Sequence, residues 1–401
     1  MSVSILYQCF GLVQVDYFKT EFRHSTVTFW VRLRERRCAR CGSSNVIQKG
    51  KLNRVFKTVP IGSKLVFINL EIRRFYCCDC RVSARESINH IALPKKHYTK
   101  RLTSFVCTLY QHMTVNDIAH YLHLHWNTVW EMLRGHLEKS IPTARELRKL
   151  RRIGIDEIAI RKGHKYLTLV VDQDTGRVVY VAPGRKSQSI VGFLKRLRKL
   201  KAPVEVVTTD MWIPYISVIM DILPKAKIVF DKFHIIALLN RKLDELRRRE
   251  YWINSKTDRD ISKGTRFLLL KHSVNLSEPA REKLNRLLRV NKSLALCYEM
   301  KEMLYHLWEC KTKQEARSFL EQWCKMASSS AVQPLMKFAN KMLAFKTAVL
   351  NYFDYPITNA MVEGINNKIK MLKRQAFGYR NLNNFYLKIY SIHQARYALI
   401  G

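Results

Sequence analysis

The chain has 401 residues, of which 71 are Lys or Arg and 32 are Asp or Glu, so its formal net charge is +39. This charge favours polyanionic partners, with nucleic acid as the first candidate and a membrane surface as the second. Hydrophobic residues make up 47% of the sequence, which excludes a disordered chain. No apolar run of about eighteen residues or more is present, which excludes a membrane-spanning helix. The length predicts two to four domains.

The N-terminal segment, residues 1–18, lacks the basic region of a signal peptide and carries Asp16, so it is interpreted as a strand. We therefore expect a cytoplasmic protein that associates with the nucleoid. In a reducing compartment, closely spaced pairs among the ten cysteines favour metal binding over disulfides.

Two pairs of cysteines have the Cys-x-x-Cys spacing: Cys38 with Cys41, and Cys77 with Cys80. Each pair can direct two thiolates at one ion, and four thiolates complete a tetrahedral site. The sequence therefore predicts a structural Zn²⁺ with no open position for catalysis. Two points stay open, since Cys78 lies inside the second pair and the four thiols could instead be buried together by coincidence.

The segment 98–137 has the pattern of three helices with a short turn before the last one. Thr114 is suited to begin the second helix, because Asp117 follows three residues later and can complete a capping box. In a helix-turn-helix domain the last helix lies in the major groove of DNA. The residues expected to approach the bases are Asn127, Thr128 and either Glu131 or Arg134. An ordinary helical hairpin is the alternative interpretation.

From about residue 150 to residue 250, strand-like segments alternate with amphipathic helices, which predicts an α/β sheet. The strand-like segments are "IGIDEIAI", "KYLTLVVDQDTG", "RVVYVAPG", "PVEVVTTD" and "KAKIVFD". The first three follow one another directly and are expected to form a meander. From about residue 240 to residue 350 the pattern predicts helices only.

Three acidic side chains are candidate metal ligands. Asp156 lies within a hydrophobic strand, where an unpaired carboxylate is unfavourable, and Asp210 ends the fourth strand, where open α/β sheets bind ligands. Glu363 near the start of a basic helix is the third. Carboxylates suit Mg²⁺ or Mn²⁺, and two such ions can activate a nucleophile and stabilise the leaving oxygen of a phosphodiester. Three alternatives stay open, since Asp210 could cap the following helix and Asp156 could pair with Arg161 or Lys162. The third is that another acid takes one of the three places, the competing acids being Glu157, Asp172, Asp174, Asp221, Asp231 and Asp354.

The helix that carries Glu363 is expected to hold phosphate groups beside the metal ions. The cationic candidates on this helix and the loop after it are Lys370, Lys373, Arg374 and Arg380. The face that packs on the sheet is expected to consist of Met361, Ile365, Ile369 and Leu372. The alternative interpretation is that Glu363 only favours the positive end of the helix dipole.

In this order the motifs resemble those of the insertion-sequence transposases of the ISL-three family. The segments that carry the resemblance, besides the cysteine pairs and the helix-turn-helix pattern, are "GIDEIAIRKGHKYLTLVVD", "VTTDMWIPY", "FDKFHI" and "TNAMVEGINNKIKMLKRQAFGYRN". The resemblance implies an RNase H-like α/β catalytic core in which Asp156, Asp210 and Glu363 form an Asp-Asp-Glu triad. It also implies that Asp231 and His234, an acid-x-x-His pair after the fifth strand, lie near the scissile phosphate or a triad acid; a His satisfied within the core is the alternative.

The family architecture implies a multidomain α+β protein. The expected domains are a β-rich zinc ribbon (1–97), a helix-turn-helix domain (98–142), the first part of the core (143–240), an all-helical insertion (241–352) and the C-terminal part of the core (353–401). The implied activity is that of a DNA transposase, which binds terminal inverted repeats and catalyses strand cleavage and strand transfer with two Mg²⁺ or Mn²⁺ ions as a dimer or larger assembly on DNA. Two alternatives stay open: a DNA-binding regulator without catalysis, and a structure-selective nuclease.

Overall fold

A computed structural model describes residues 5–161, 165–253 and 260–394 of the chain. The chain divides into two compact units, one made of Met1–Ile141 and Leu372–Gly401 and the other of Pro142–Met371. Among the described residues, no helix is both long enough and apolar enough to cross a membrane.

The first unit contains a short helix and a five-stranded sheet. The elements are α1 (Ile5–Phe10), β1 (Val15–Arg23), β2 (Thr26–Leu33), β3 (Val46–Ile61), β4 (Lys64–Cys77) and β5 (Ser83–Arg85). The strand order is β1-β2-β4-β3 with β5 paired to β4; β2 and β4 run parallel, and the neighbouring pairs are antiparallel. The prediction of a strand at the N-terminus is wrong for the residues of α1. Leu6 and Phe10, one helical turn apart, are both buried against the core of this sheet.

Three helices follow the sheet in the first unit: α2 (Lys100–Leu109), α3 (Val115–Tyr121) and α4 (Trp126–Glu138). The predicted capping box is confirmed, because the Thr114 hydroxyl accepts from the Asp117 N–H and the Asp117 carboxylate accepts from the Thr114 N–H, each at 3.2 Å. The buried residues that hold α3 against α4 are Val115, Ile118, Ala119, Leu122, Val129 and Leu133.

The second unit is built on another five-stranded sheet, which follows the short helix α5 (Ala144–Leu147). Its strands are β6 (Arg152–Arg161), β7 (Lys165–Asp172), β8 (Val178–Pro183), β9 (Val206–Thr209) and β10 (Lys227–Phe230). The order is β10-β9-β6-β7-β8. β6, β7 and β8 form the predicted meander, and β9 and β10 run parallel to β6. All four residues of β9 are buried, as is usual for a parallel strand covered on both faces.

Helices surround this sheet and extend its core. They are α6 (Gln188–Lys199), α7 (Ile213–Ile222), α8 (Lys232–Ile253), α9 (Arg266–Leu270), α10 (Glu278–Val290), α11 (Lys292–Tyr305), α12 (Lys313–Ser328), α13 (Gln333–Ala344) and α14 (Lys346–Leu350). Within the described part of residues 240–350 no strand occurs, as predicted. The apolar faces of these helices share one continuous core with the sheet.

Two further α-helices follow, α15 (Ala360–Gln375) and α16 (Leu382–Tyr390), and a 3-10 turn at Ile392–Gln394 ends the described chain. Most of α15 belongs to the second unit, whereas its last residues and α16 belong to the first. Within the first unit α16 packs on α4, with Leu387 against the core of the three helices.

Candidate functional site

The four cysteines of the two pairs lie together in the first unit. The sulfur of Cys38 is 3.6 Å from that of Cys80. The sulfur of Cys41 is 3.5 Å from that of Cys77, and all four lie within 4.8 Å of one another. Sulfurs bound to one zinc at about 2.3 Å stand roughly 3.8 Å apart in a tetrahedron, so the cluster fits a structural Zn²⁺. Cys78 is not part of this group.

A buried ion pair ties the zinc cluster to the sheet of the first unit. The guanidinium of Arg73 lies 2.6 Å from a carboxylate oxygen of Glu86, and both side chains are almost fully buried. The same guanidinium donates to the carbonyl oxygens of Leu33 at 2.7 Å and Glu35 at 3.0 Å. These carbonyls come just before Cys38, so the ion pair holds the segment that enters the first cysteine pair.

Helix α4 carries the residues predicted to approach DNA bases. Asn127 and Arg134 are exposed, and Thr128 is half-buried. Glu131, the alternative to Arg134, instead forms an ion pair with Lys96. Arg134 is therefore the better candidate of the two for a contact with DNA.

Two acids of the second unit lie close together, Asp156 on β6 and Asp210 directly after the neighbouring strand β9. Gly154 of β6 pairs with Thr208 of β9 in a parallel register. Asp156 and Asp210, each two residues further along, therefore reach the same level. They lie at the carboxyl edge of this strand pair, just past the last paired residues of β6 and β9. Burial and the nearby carboxylate of Asp210 raise the pKa of Asp156 to about 6. A cation bound at this edge would stabilise both charges.

His234 supplies one positive charge to this pair of acids. Its Nδ1 lies 2.7 Å from Oδ1 of Asp210, and its Nε2 lies 3.9 Å from Oδ2 of Asp231. The bond to Asp210 raises the pKa of His234 to about 9 although burial opposes the rise, so the imidazole is protonated at neutral pH. Asp231 is 2% exposed, and burial raises its pKa. The acid-x-x-His pair therefore lies directly beside Asp210.

The structure tests one of the alternative roles considered for Asp156 and Asp210. The prediction that Asp210 could cap α7 is wrong, because Trp212 is the N-cap residue and no side chain makes a cap bond there. For Asp156 the alternative partner Lys162 lies outside the described residues, as does the side chain of Arg161.

Hydrogen bonds attach α15 to the edge where the acids lie. The side-chain amide of Asn366 donates to Oδ2 of Asp156 at 2.6 Å. Just before the helix, the amide oxygen of Asn359 accepts a bond of 2.6 Å from the hydroxyl of Thr208. Asn359 and Asn366 are both buried, at 1% and 6% exposure. The helix is thus fixed to β6 through Asp156 and to β9 through Thr208.

Close packing brings α15 onto β6. A Cβ atom added to Gly154 would stand 2.6 Å from Cγ2 of Val362, so only glycine permits this approach. The predicted packing face is correct for Ile365 and Ile369, which are buried, and wrong for Met361, which is 42% exposed. Val362 is buried in place of Met361, because the bond from Asn366 to Asp156 turns the side of α15 that carries Val362 and Asn366 toward the sheet.

Glu363 lies on α15 three residues before Asn366, so the two side chains project from the same side of the helix. Its side chain is exposed to solvent. Within the described ranges only the four cysteines converge closely enough to form a group of three or more candidate metal ligands. The structure therefore brings Asp156 and Asp210 together, with Glu363 on the adjoining helix, and the three carboxylates do not converge into one close group of ligands.

Sequence profiles of known families cover most of the chain. A profile described as "Transposase" matches residues 153–389, and the helix-turn-helix domain of transposase family ISL3 matches residues 89–137. The zinc finger of the transposases of IS204, IS1001, IS1096 and IS1165 matches residues 34–80. The chain belongs to the ISL3 family of transposases.

Individual relatives of this ISL3 chain are also transposases. The transposase for insertion sequence element IS1001 of Bordetella parapertussis is 29% identical over 388 residues, which cover 96% of this chain and 95% of the relative. The transposase for IS1557 of Mycobacterium tuberculosis is 26% identical over 377 residues, 86% and 83% of the two chains. A chain of the Drosophila P element transposase strand transfer complex aligns with a TM-score of 0.37 and 10% identity over 74% of this chain and 91% of its own; this similarity is too low to support an argument.

The cations predicted to hold phosphates in the ISL3 chain are accessible. Lys370, Arg374 and Arg380 are exposed and Lys373 is half-buried. Lys370 belongs to the second unit, and the other three belong to the first.

Two site residues of the ISL3 chain were missed by the sequence analysis, namely Asn359 and Asn366. A signal for Asn366 was present, because it stands between Ile365 and Ile369 in the apolar stripe of an amphipathic helix. A polar residue in such a stripe needs a hydrogen-bond partner when it is buried.

Proposed function

We propose that this protein is a DNA transposase that cleaves the ends of an insertion sequence and joins the freed 3′-hydroxyls to target DNA. Asp156, Asp210 and Glu363 are its catalytic triad. The pairing of β6 with β9 is the main support, because it sets the first two acids on adjacent strands. The bond from Asn366 to Asp156 adds to this, since it attaches the helix of the third acid to the same edge.

The proposed core has an RNase H-like fold formed by residues 143–240 and 353–401, with residues 241–352 as an all-helical insertion. A meander followed by two parallel strands, in the order β8-β7-β6-β9-β10, supports this assignment. The helices found throughout the described part of residues 241–352 support the insertion. Residues 1–97 and 98–142 are assigned to the zinc ribbon and the helix-turn-helix domain.

The triad carboxylates are the proposed ligands of Mg²⁺ or Mn²⁺. Two such ions supply Lewis acidity that activates the attacking water or 3′-hydroxyl and stabilises the leaving oxygen. Burial and the neighbouring carboxylate of Asp210 raise the pKa of Asp156, and this fits the role because a bound divalent cation would offset both effects. His234 places a positive charge 2.7 Å from Oδ1 of Asp210, and Asn366 fixes the orientation of Asp156.

Recognition of the terminal inverted repeats is assigned to the zinc ribbon and the helix-turn-helix domain. In the proposed complex α4 lies in the major groove. Its base-contacting residues are Asn127, Thr128 and Arg134. The residues assigned to phosphates are Lys370, Lys373, Arg374 and Arg380. Two ends must be held at once for transposition, so the proposed active species on DNA is a dimer or a larger assembly.

A strand-transfer assay on labelled element-end DNA with Mn²⁺ tests the triad. We expect Asp156→Asn, Asp210→Asn and Glu363→Gln to lower cleavage by more than about 100-fold, since loss of a mere partner of a metal ligand already lowers activity 10–100-fold. Binding of end DNA in a gel shift should persist. The matched controls are Asp221→Asn and Glu282→Gln, two exposed acids away from the site.

The products of the wild-type chain separate the remaining possibilities. Joined molecules support the transposase, cleavage without joining indicates a nuclease, and binding without any product indicates a regulator. Cleavage by one of the three triad variants at the rate of its control would remove that residue from the triad.

A further inference from the structure

A cavity of about 290 Å³ lies within the first unit, apart from the acid pair and from the zinc cluster. It is bounded by the end of α2 and the α2–α3 turn, the C-terminal part of α4, the end of α15 and helix α16. Lys388 of α16 lines it and is 6% exposed, so a cationic side chain is buried at the wall of a space large enough for a small ligand.

The ammonium of Lys388 lacks a counter-charge in the part of the chain that the structure describes. Its neighbours are the rings of Tyr110, with the centroid at 4.8 Å, and Tyr379, with the centroid at 5.5 Å. Asp117 is an acid that lines the cavity, but its carboxylate accepts hydrogen bonds from the N–H and the hydroxyl of Thr114. Among the residues with described positions, the ammonium of Lys388 therefore has only these two aromatic rings to offset its charge.

Such an arrangement is unfavourable unless an anion completes it. Removing an ammonium from water costs more free energy than cation–π contacts with two rings return. An anion in the cavity would offset the remainder by direct charge pairing. Burial lowers the pKa of Lys388 to about 8, so the side chain still carries its charge at neutral pH.

The other polar groups of the lining suit an oxyanion. His112, His136 and Gln375 line the same cavity and carry N–H donors. A phosphate group offers several acceptor oxygens, and lysine binds phosphate as a compact point charge. The overall charge of +39 raises the local concentration of phosphate-bearing molecules around the chain.

We propose that this cavity binds a phosphate group against Lys388. The phosphate can come from a DNA backbone or from a free molecule such as inorganic phosphate or a mononucleotide. This site is separate from the proposed triad, and its occupation can be measured without any catalytic readout.

The first test uses thermal unfolding of the full chain with inorganic phosphate or dAMP, at constant ionic strength set with chloride. A ligand that binds only the folded state raises the melting temperature. We expect this rise in wild type and in Lys49→Met, a control that removes an exposed lysine of the same unit. Lys388→Met should lose the rise, with at least a tenfold weaker affinity for the ligand.

A second measurement on the wild-type chain does not depend on the folding of a variant. Reductive methylation followed by mass spectrometry reports how accessible each lysine amine is. Phosphate or dAMP should protect Lys388 from methylation and leave Lys49 unprotected. Equal modification of Lys388 with and without ligand counts against a free phosphate as the occupant.

The DNA arm measures the affinity of the same chains for a short duplex. A loss in Lys388→Met that exceeds the loss in Lys49→Met by about tenfold, without any response to free phosphate, identifies the backbone as the source. The proposal is overturned if Lys388→Met and Lys49→Met show the same rise in melting temperature with phosphate and dAMP and the same affinity for DNA. Lys388 is then a packing residue. Because Lys388 lies outside the proposed triad, failure here leaves the strand-transfer result unaffected.

Discussion

Asn366 is the residue through which α15 contacts the first proposed catalytic acid. Its amide donates to Asp156 at 2.6 Å, and the backbone N–H of Glu157 donates to the other oxygen at 2.7 Å. Leucine at position 366 keeps the volume and removes one of these donors, so Asp156 loses a fixed orientation. We expect Asn366→Leu to lower the rate of end cleavage by about 10–100-fold, as for other partners of metal ligands.

The cleavage rate of Asn366→Leu should be measured as a function of Mn²⁺ concentration. A positioning role predicts that more Mn²⁺ is needed for half-maximal cleavage, whereas a purely structural role changes only the amount of folded protein. Asn285→Leu, an exposed asparagine on α10, is the matched control. Identical Mn²⁺ curves for the two variants would contradict the role assigned to Asn366.

Lys388 predicts how the stability of the first unit depends on pH. Burial lowers its pKa from 10.5 to about 8 in the folded chain, so between these values the unfolded chain binds more protons. Stability therefore rises with pH across this window, by up to about 1.4 kcal/mol per pH unit, and the full penalty remains at lower pH. In phosphate-free buffer, the unfolding free energy of wild type minus that of Lys388→Met should increase from about pH 8 to pH 10. A difference independent of pH would mean that the ammonium is solvated.

At the scale of the element, the packing of α15 on β6 depends on one glycine. A Cβ at Gly154 would stand 2.4 Å from Nε2 of Gln173 and 2.6 Å from Cγ2 of Val362, so Gly154→Ala must displace the helix. We expect a loss of about 1–3 kcal/mol in urea unfolding, the usual effect of overpacking, together with a loss of cleavage. Gly192→Ala on α6 is the control, because its Cβ would meet no atom within 4 Å and it should gain up to about 1 kcal/mol. Equal stability of the two variants would show that α15 can shift without penalty.

The elements differ in how well the sequence predicts them. β2 and the meander follow from alternation and long apolar runs, because burial on one face or both leaves a direct pattern. α1 has six residues, too few for a helical period to appear. The packing face of α15 was predicted correctly at Ile365 and Ile369 but without Asn366, which is polar and yet buried through its bond to Asp156. The cysteine pairs were predictable because their spacing alone sets the chelate, whereas the pairing of Arg73 with Glu86 depends on the folded sheet.

At the scale of the whole molecule, the two units have separate cores, so zinc should matter for one of them. We expect Cys38→Ser to release zinc, lower the melting temperature of the first unit and weaken binding of end DNA. The second unit should keep its own unfolding transition, seen by hydrogen exchange of β6 and β9. Cys78→Ser is the control, because this neighbouring thiol is outside the quartet. Equal zinc contents in the two variants, measured by atomic absorption, would contradict the quartet.

The charge of the whole chain predicts how DNA binding responds to salt. Each phosphate neutralised by a cation releases counterions, so the logarithm of the affinity falls with the logarithm of salt concentration by about 0.9 per contact. Arg374→Gln should reduce this slope by about 1 and weaken end DNA and scrambled DNA equally, since a phosphate contact carries no sequence information. Arg134→Gln should weaken end DNA by about 1–3 kcal/mol more than scrambled DNA, because its proposed partner is a base.

Fluorescence anisotropy with end DNA and scrambled DNA, over a series of salt concentrations, measures both the salt dependence of the affinity and the preference for end DNA. Lys199→Gln is the control, since this exposed lysine lies on α6 of the second unit and outside the proposed DNA contacts. A chain that binds DNA only through its net charge of +39 would respond alike to all three substitutions, because each removes one positive charge. Defined docking of α4 on DNA predicts two differences. Arg134→Gln should lower the preference for end DNA over scrambled DNA more than Arg374→Gln does, and both should lower the affinity for end DNA more than Lys199→Gln does. If Arg134→Gln weakens end and scrambled DNA equally, α4 does not read the bases through Arg134.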